Sequence, residues 1–335
     1  MARARAAVPE AIILSAAAFY CVADERYFLG AVGMINSLRL LGHDEPIFLL
    51  DCGLAPAQRE ALDPHVSLVD APADTPPWLL KAALPLDRPA QVVVLVDADM
   101  VLTRSLGPLI ERVSRGRVAA FKDRQQRFFD EWGELLGLGA PRRGPYVSSG
   151  LVLLGGALRE RVLRLMDERR SRVDFELTFW RRNVRDYPLL YADQDVLNAI
   201  LATRVEPDRV DALDNRLAAT PPFRGLRIVD EGALRCAYRD GAEPYAVHQY
   251  VRKPWLERTY HGIYSRLLAR LLLGADLQIR VPEAEVPLRM RTGLRARAER
   301  TRVNAADYLR WHIGDLLPRP IGARVEALRR RREAR

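Results

Sequence analysis

An apolar run that ends in two acidic residues is the feature that most constrains how this chain can fold. The segment VVVLVDADMVL places five apolar residues, 92–96, directly before Asp97 and Asp99. A Val-rich run of this length is typical of a strand buried on both faces of a mostly parallel sheet, with helices on either side. In such open α/β sheets, ligands bind at the carboxyl ends of the strands. The run therefore predicts an α/β fold with Asp97 and Asp99 at the ligand-binding edge.

The spacing of the two carboxylates suggests that they bind one ion. Residues i and i+2 of an extended segment point to the same side, so Asp97 and Asp99 can converge. Two like charges this close disfavour each other's ionisation unless a cation lies between them. A divalent metal held by oxygen ligands, with a phosphate on its far side, fits this arrangement. The alternative is that one Asp caps a turn and the other is solvated, because the motif is short.

The first two thirds of the chain alternates short apolar runs with segments of helical periodicity, as in successive βα units. Strands are predicted at AAAFYCVAD, PIFLLDCG, VSLVDAP, RVAAFKD and YVSSGLVLLGG, and helices at YFLGAVGMINSLRLLGH, PAQREALDP, TPPWLLKAALPL, ALRERVLRLMDERRSRV and DQDVLNAILATR. The segment QRFFDEWGELLGLGAPRRGP ends in a Gly/Pro/Arg loop that is flexible enough to be a lid.

The positive charge of the chain is concentrated at its C-terminal end. From Arg289 onward there are 14 arginines and 5 acidic residues, and this surplus equals the net charge of +9 for the whole chain. A domain that binds nucleic acid normally carries basic residues on its folded surface, so no nucleic-acid partner is predicted. The basic segment is predicted either to lie as an amphipathic helix on an anionic membrane surface or to be a solvated tail.

The cysteines and the apolar segments bear on the compartment. Cys21, Cys52 and Cys236 are widely spaced and odd in number, which indicates neither a disulfide framework nor a zinc site. A reducing, cytoplasmic location is therefore predicted. If the basic tail binds the membrane, it is predicted to do so at the inner face. Residues 11–23 resemble the apolar part of a signal peptide, but we favour a first core strand. No continuous apolar segment of the sequence is long enough to cross a bilayer.

Four short stretches carry side chains that can bind ligands or take part in catalysis. They are VADERY at 22–27, DAD at 97–99, DQDVLN at 193–198 and VHQYVRKPW at 247–255. Each also has an ordinary structural interpretation. His248 can be a hydrogen-bonded core histidine, Asp193 and Asp195 can belong to a helix N-terminus, Lys253 can be a solvated charge and Trp255 can be core.

In this order and spacing, the four stretches resemble the family 8 glycosyltransferases, the group that contains glycogenin and bacterial lipopolysaccharide galactosyl- and glucosyltransferases. The resemblance spans roughly residues 17–258. It implies a GT-A domain, a Rossmann-like sheet flanked by helices, which we assign to residues 11–275, and leaves an Arg-rich helical tail at 283–335. The implied activity is transfer of a hexose-type sugar from a UDP-sugar to a glycan, glycolipid or protein acceptor.

The resemblance assigns a metal site to the acidic pair. Asp97, Asp99 and His248 would be the ligands of a Mn²⁺ or Mg²⁺ ion bound to the donor diphosphate. Mn²⁺ suits the imidazole nitrogen better than Mg²⁺ does. The ion would act as a Lewis acid on the departing diphosphate. Lys253 would add a positive charge to the same phosphates, with Arg252 able to share or replace that role.

The resemblance also implies a pocket for the donor. The matching positions are Cys21, Ala23, Asp24, Tyr27, Lys81, Ala98, Ser148, Ser149 and Gly150. Asp24 would accept a hydrogen bond from the uracil N–H, and Tyr27 would stack on the ring. Lys81 would reach the donor, although an exposed helical lysine is its ordinary interpretation.

Asp193 and Gln194 match the family residues beside the transferred sugar, and the resemblance implies retention of the anomeric configuration. Retention requires a covalent intermediate or attack from the leaving group's own face. Gln194 is a poor nucleophile, which favours the second route, with a diphosphate oxygen accepting the proton of the acceptor. Asp193 would bind sugar hydroxyls.

Two departures from the family pattern keep other functions open. Ser148 stands where the family usually has Asn, and the segment from His248 to Lys253 is one residue shorter than H-x-x-G-x-x-K-P-W and lacks its Gly. A catalytically silent nucleotide-sugar binding protein is therefore one alternative. A nucleotidyltransferase of similar fold is another, but it would more often carry a Gly-rich loop after the first strand than the sequence VADERYFLG provides.

Overall fold

The computed structural model describes residues 15–72 and 76–316. The strands within these residues are β1 (Ala17–Ala23), β2 (Ile47–Asp51), β3 (Ser67–Asp70), β4 (Val92–Val96), β5 (Met100–Leu102), β6 (Val118–Lys122), β7 (Val147–Gly155), β8 (Val210–Leu213), β9 (Ala218–Ala219), β10 (Leu226–Asp230), β11 (Arg235–Tyr238) and β12 (Ala246–His248). The α-helices are α1 (Phe28–Leu40), α2 (Pro56–Leu62), α3 (Ala83–Asp87), α4 (Gly107–Val113), α5 (Trp132–Leu136), α6 (Gly156–Arg169), α7 (Asp193–Arg204), α8 (Gly262–Leu273) and α9 (Leu294–Leu316).

A seven-stranded sheet in the order β3-β2-β1-β4-β7-β6-β8 forms the centre of the molecule. Neighbouring strands are parallel except at β7, which runs antiparallel to both β4 and β6. Side chains of α1 and α8 pack on one face of the sheet, and those of α6 and α7 pack on the other. The predicted α/β fold, a mostly parallel sheet flanked by helices, is confirmed.

The uninterrupted apolar run of β4 is explained by its two buried faces. Val92, Val94 and Val96 belong to the core layer that contains α1, and Val93 and Leu95 belong to the opposite layer. All five side chains are buried. A strand in contact with helices on both sides has no face on which a polar side chain would meet water, so alternation disappears.

A small three-stranded sheet, β5-β12-β9, lies beside the end of β4. β12 pairs antiparallel with β5, and His248 is the register partner of Met100. This pairing brings a strand that is distant in sequence against the residues that immediately follow Asp99.

The prediction of one helix over TPPWLLKAALPL was wrong. The structure has a 3-10 turn at Pro77–Leu79 and the short helix α3 at Ala83–Asp87, with Lys81 in a turn between them. The cause is Pro85, since proline inside a continuous helix would lack its N–H and its ring would clash with the carbonyl group of residue 81. In the first turn of α3, the missing N–H has no consequence.

Part of the predicted basic tail packs against the domain. Val286 and Met290 belong to the same core layer as α1 and α8, and Ala296 and Val303 of α9 are buried. Residues 317–335 of the predicted tail lie outside the described residues. In the described part of the chain, no helix combines the length and the apolarity needed to cross a membrane.

Candidate active site

The two acidic residues after β4 lie in a turn. The N–H of Met100 donates to the carbonyl oxygen of Asp97 at 3.1 Å, so residues 97–99 are not the extended segment that the spacing argument assumed. β5 then begins at Met100. The turn still directs both carboxylates to one place, because each has an oxygen close to the imidazole of His248.

The pairing of β12 with β5 positions His248 beside this turn. The N–H of Gln249 donates to the carbonyl oxygen of Asp99 at 3.2 Å, which extends the pairing to the turn itself. His248 Nε2 lies 3.0 Å from Asp99 Oδ1 and 3.8 Å from Asp97 Oδ2. One potential ligand atom from each of the three residues lies within 4.8 Å of the others.

Gly150 of β7 makes room for the imidazole. Its carbonyl oxygen accepts the N–H of Asp97 at 2.9 Å, so the two chains are in direct contact. A Cβ atom at this position would lie 2.7 Å from His248 Cε1 and 3.0 Å from Nδ1. Glycine is therefore required here by close approach to the site.

Two largely buried lysines each bind one of the carboxylates. Lys81 Nζ lies 2.6 Å from Asp97 Oδ1 and 3.0 Å from Asp193 Oδ2, with 14% of its side chain exposed. Lys253 Nζ contacts Asp99 Oδ2, with 7% of its side chain exposed. Each aspartate thus turns one oxygen to a lysine and the other towards His248.

The electrostatics of this cluster perturb the proton affinities of its members. Burial alone would lower the pKa of Lys81, but Asp193 and Asp97 outweigh it and raise that pKa above its ordinary value. Burial alone would raise the pKa of Asp99, but Lys253 and His248 outweigh it and hold that pKa below its usual range. The pKa of Asp97 is instead raised, because burial outweighs the effect of Lys81.

Asp97, Asp99 and His248 fit a divalent cation. Two carboxylates and an imidazole are a donor set found around divalent cations in proteins. Asp99 Oδ1 is buried, lies 3.0 Å from His248 Nε2 and has no hydrogen-bond donor assigned to it among the described residues. A buried carboxylate oxygen without a donor is costly unless it binds something else.

Asp193 and Gln194 are the first two residues of α7, and Lys81 lies between Asp193 and Asp97. The backbone N–H of Ser149 donates to Gln194 Oε1 at 3.1 Å. Gln194 Nε2 donates to Asp123 Oδ2 at 3.2 Å and to the hydroxyl oxygen of Tyr146 at 3.1 Å. Both ends of the Gln194 amide are therefore fixed, with the oxygen facing β7.

Sequence reasoning missed Asp123 and Tyr146, and it gave Asp195 only a capping role. Asp195 is fully buried and accepts hydrogen bonds from the Tyr146 hydroxyl at 2.6 Å and from the N–H of Tyr191 at 2.7 Å. Asp123 directly follows β6, and this position at the carboxyl edge of the sheet was a signal that could have identified it.

The residues predicted to hold the nucleotide lie at the end of β1. Asp24 Oδ1 accepts the N–H of Tyr27 at 3.0 Å and so caps the 3-10 turn at Glu25–Tyr27. The ring centroid of Tyr27 lies 5.7 Å from Lys253 Nζ. Cys21 and Ala23 are buried, and burial, followed by the charges of the two cluster aspartates, raises the pKa of the Cys21 thiol.

The remaining predicted donor contacts differ in how close they lie to the cluster. Ser149 Oγ lies 3.4 Å from Lys81 Nζ, and Ser148 Oγ accepts the N–H of Gly150 at 3.2 Å. Ala98 is buried in the turn between the two aspartates. Arg252 Nε lies 3.4 Å from a carboxylate oxygen of Glu257. The structure thus brings Lys253, rather than Arg252, into contact with the acidic pair.

Fold and site together define an α/β protein with an acidic and imidazole cluster, suited to a divalent cation, at the carboxyl edge of its sheet. No protein-family model matches the sequence, and no curated protein matches it. Solved structures that are similar to this chain include glycosyltransferases.

An active-site variant of LgtC is 18% identical, with a TM-score of 0.49, and the match covers 80% of this chain and 98% of that one. The galactosyltransferase LgtC in complex with donor and acceptor sugar analogues is 18% identical, with a TM-score of 0.47 and the same coverage of 80% and 98%. The bifunctional glycosyltransferase WbbM is 16% identical, with a TM-score of 0.47, and the match covers 80% of this chain and 51% of that one. At this level of similarity, the function has to be argued from the site itself.

Proposed function

We propose that this protein is a metal-dependent, retaining glycosyltransferase of the GT-A type that moves a hexose-type sugar from a UDP-sugar to an acceptor. The observation that carries the proposal is the convergence of Asp97, Asp99 and His248, with Lys253 on one side and Lys81 on the other. A nucleotide sugar carries a diphosphate between its base and its sugar, and this arrangement offers separate partners for each part.

The diphosphate end of the cleft would be formed by the cluster and Lys253. Asp97, Asp99 and His248 would hold Mn²⁺ or Mg²⁺, which when bound supplies Lewis-acid stabilisation of negative charge on the departing diphosphate. Lys253 Nζ lies against Asp99 and adds a second positive charge at the same place. The adjacent Tyr27 ring and Asp24 supply a face for the uracil base and a polar atom to recognise it.

The sugar end of the cleft would be formed by Asp193 and Gln194. Lys81 bridges Asp97 and Asp193, and this bridge sets the distance between the diphosphate end and the sugar end. Asp193 would bind sugar hydroxyls. The amide oxygen of Gln194 is already engaged by the Ser149 N–H, which argues against its use as a nucleophile and favours attack from the leaving group's own face.

Exposed aromatic rings, one of them beside the cluster, support a saccharide acceptor. Tyr250 is 51% exposed and its ring centroid lies 5.8 Å from that of His248. Phe179 is 41% exposed and its centroid lies 5.7 Å from that of Tyr191. Aromatic rings of this kind give sugars an apolar face to pack on together with nearby polar groups. Of the glycan, glycolipid or protein acceptors considered, a glycan or glycolipid presents a sugar ring that could pack on these side chains.

Release of UDP tests the proposal. Purified protein is incubated with Mn²⁺ and a panel of UDP-sugars, and UDP formation is followed with and without EDTA. We expect release that depends on Mn²⁺ and is lost in Asp97→Asn, while Asp276→Asn, which removes only an exposed pair with Arg270, retains it. UDP binding without release from any donor would instead support a silent binding protein. Diphosphate release from a nucleoside triphosphate would support a nucleotidyltransferase.

Location and membrane contact are part of the proposal. We propose a cytoplasmic enzyme whose basic C-terminal segment contacts anionic lipid on the inner face of the membrane. The density of arginine beyond residue 289 supports this contact. Co-sedimentation with vesicles that contain anionic lipid tests it, and equal binding to neutral vesicles would contradict it.

A further inference from the structure

The loop that follows Lys253 determines where its ammonium group lies. The carbonyl oxygen of Lys253 accepts the N–H groups of Leu256 at 3.1 Å and Glu257 at 2.9 Å, so a tight turn starts at this lysine. Its Nζ donates to the carbonyl oxygen of Gln249 at 2.7 Å and contacts Asp99. Because turn and side chain share one residue, whatever fixes the turn also fixes the point from which the lysine side chain reaches Asp99.

One guanidinium group from the C-terminal segment joins three carbonyl groups of this loop. Arg289 Nε donates to the carbonyl oxygen of Thr259 at 2.9 Å. Arg289 Nη2 contacts the carbonyl oxygens of Pro254 and Glu257. A guanidinium is planar and rigid, so three acceptors on one group fix their relative positions.

Arg289 is itself held from both sides. The adjacent side chain of Met290 is buried in the core, and the carbonyl oxygen of Arg289 accepts a hydrogen bond from Arg300 of α9 at 3.2 Å. Glu299 of α9 forms a two-point ion pair with Arg258 of the same loop, at 3.0 and 3.3 Å. The loop is therefore joined to α9 directly through the Arg258–Glu299 pair and indirectly through Arg289 and Arg300.

The backbone before Lys253 explains why such a restraint is needed. Arg252 has φ +49°, in the left-handed region that favours glycine. A non-glycine residue in this region is strained and persists only where its surroundings hold it. The loop has no glycine between His248 and Lys253, so side-chain contacts have to maintain its path. Among these are Gln249 Nε2 with the carbonyl oxygen of Val251 and His261 Nε2 with that of Arg252.

We infer that Arg289 is a positioning residue for the diphosphate end of the cleft, because it holds the loop that presents Lys253. The inference rests on the proposed function, since it assigns Lys253 to the donor phosphates. It also makes the segment around residue 289 a working part of the site rather than a separate tail.

Amide hydrogen exchange tests the restraint without reference to activity. In Arg289→Ala we expect exchange at the N–H groups of Leu256, Glu257 and Thr259 to accelerate on the order of 10-fold, as when local structure is loosened. Arg289→Lys keeps the charge but not the planar guanidinium group. Its exchange rates at these N–H groups should lie between those of Arg289→Ala and those of the wild type. Arg266→Ala is the matched control, because it removes only an exposed ion pair with Glu231. Unchanged protection of the loop in Arg289→Ala would overturn the inference.

Binding of UDP in the presence of Mn²⁺ tests the consequence for the site. Arg289→Ala should weaken UDP binding ~10–100-fold, as expected when a supporting group is lost. In a Lys253→Met background the same substitution should change affinity by less than about two-fold, because the group that it positions is gone. Equal losses in both backgrounds, or wild-type affinity in Arg289→Ala, would refute the role. If the wild type binds no UDP, the proposed function fails, and amide exchange alone decides whether Arg289 holds the loop.

Discussion

The substitution Gly150→Ala tests the candidate metal site with the addition of a single methyl group. The new Cβ would lie 2.7 Å from His248 Cε1 and 3.3 Å from Asp97 Oδ2. Ordinary contacts begin at 3.4 Å, so the imidazole has to retreat by about 0.7 Å. Metal-ligand distances tolerate only about ±0.2 Å, so the nitrogen can no longer coordinate well.

We expect Gly150→Ala to lower the affinity for Mn²⁺ ~10–100-fold, equivalent to about 1.4–2.7 kcal/mol. Overpacking should also lower the free energy of unfolding by about 1–3 kcal/mol. Titration calorimetry with MnCl₂ measures the first quantity, and urea unfolding monitored by circular dichroism measures the second.

Gly144→Ala is the control for this substitution, because a Cβ there would meet no atom within 4 Å. It should leave both Mn²⁺ affinity and stability near those of the wild type. A folded Gly150→Ala protein that binds Mn²⁺ as tightly as the wild type would refute the reasoning, since the imidazole would then not be a ligand. Absence of Mn²⁺ binding in the wild type would remove the metal site altogether.

Three further substitutions test other contacts. Lys81→Met leaves the buried carboxylate of Asp193 without its cation, and we expect a loss of about 3–5 kcal/mol in urea unfolding; a loss below about 1 kcal/mol would mean that water replaces the ammonium group. Tyr146→Phe removes the hydroxyl that holds the Gln194 amide, so sugar transfer should fall ~10-fold or more while the Kd for UDP stays within about two-fold; a parallel loss of UDP affinity would contradict this role. Asn36→Leu leaves the N–H of Ile279 without its acceptor and should cost about 1–3 kcal/mol in the same unfolding assay, with unchanged stability as the contradicting result.

The sequence pattern predicted those strands and helices whose buried side chains recur at a characteristic spacing. The five apolar residues of β4 and the segment DQDVLNAILATR, which forms α7 over Asp193–Arg204, were located from sequence because each buries a characteristic face. The single helix over TPPWLLKAALPL was wrong, because its opening prolines suit a first helical turn but Pro85 cannot lie in the interior of the same helix.

The candidate site was predicted as a set of residues but not as a set of contacts. The resemblance named Asp97, Asp99 and His248, and the structure brings them together, although the first two are joined by a turn rather than an extended segment. The contacts of Gln194 with Asp123 and Tyr146 join three separate elements. Contacts of this kind depend on the tertiary arrangement, and no local spacing encodes them.

The antiparallel direction of β7 has a consequence for how such a scaffold can diversify. Because β7 starts where β4 ends, the connection between β6 and β7 reaches the edge of the sheet that carries the cluster. Insertions or deletions in its largely exposed part, residues 139–145, would reshape the nearby surface and leave the buried Trp132 and Tyr146 in place. Specificity for the molecule that enters could therefore evolve in one surface segment, while the chemistry below it stays constant.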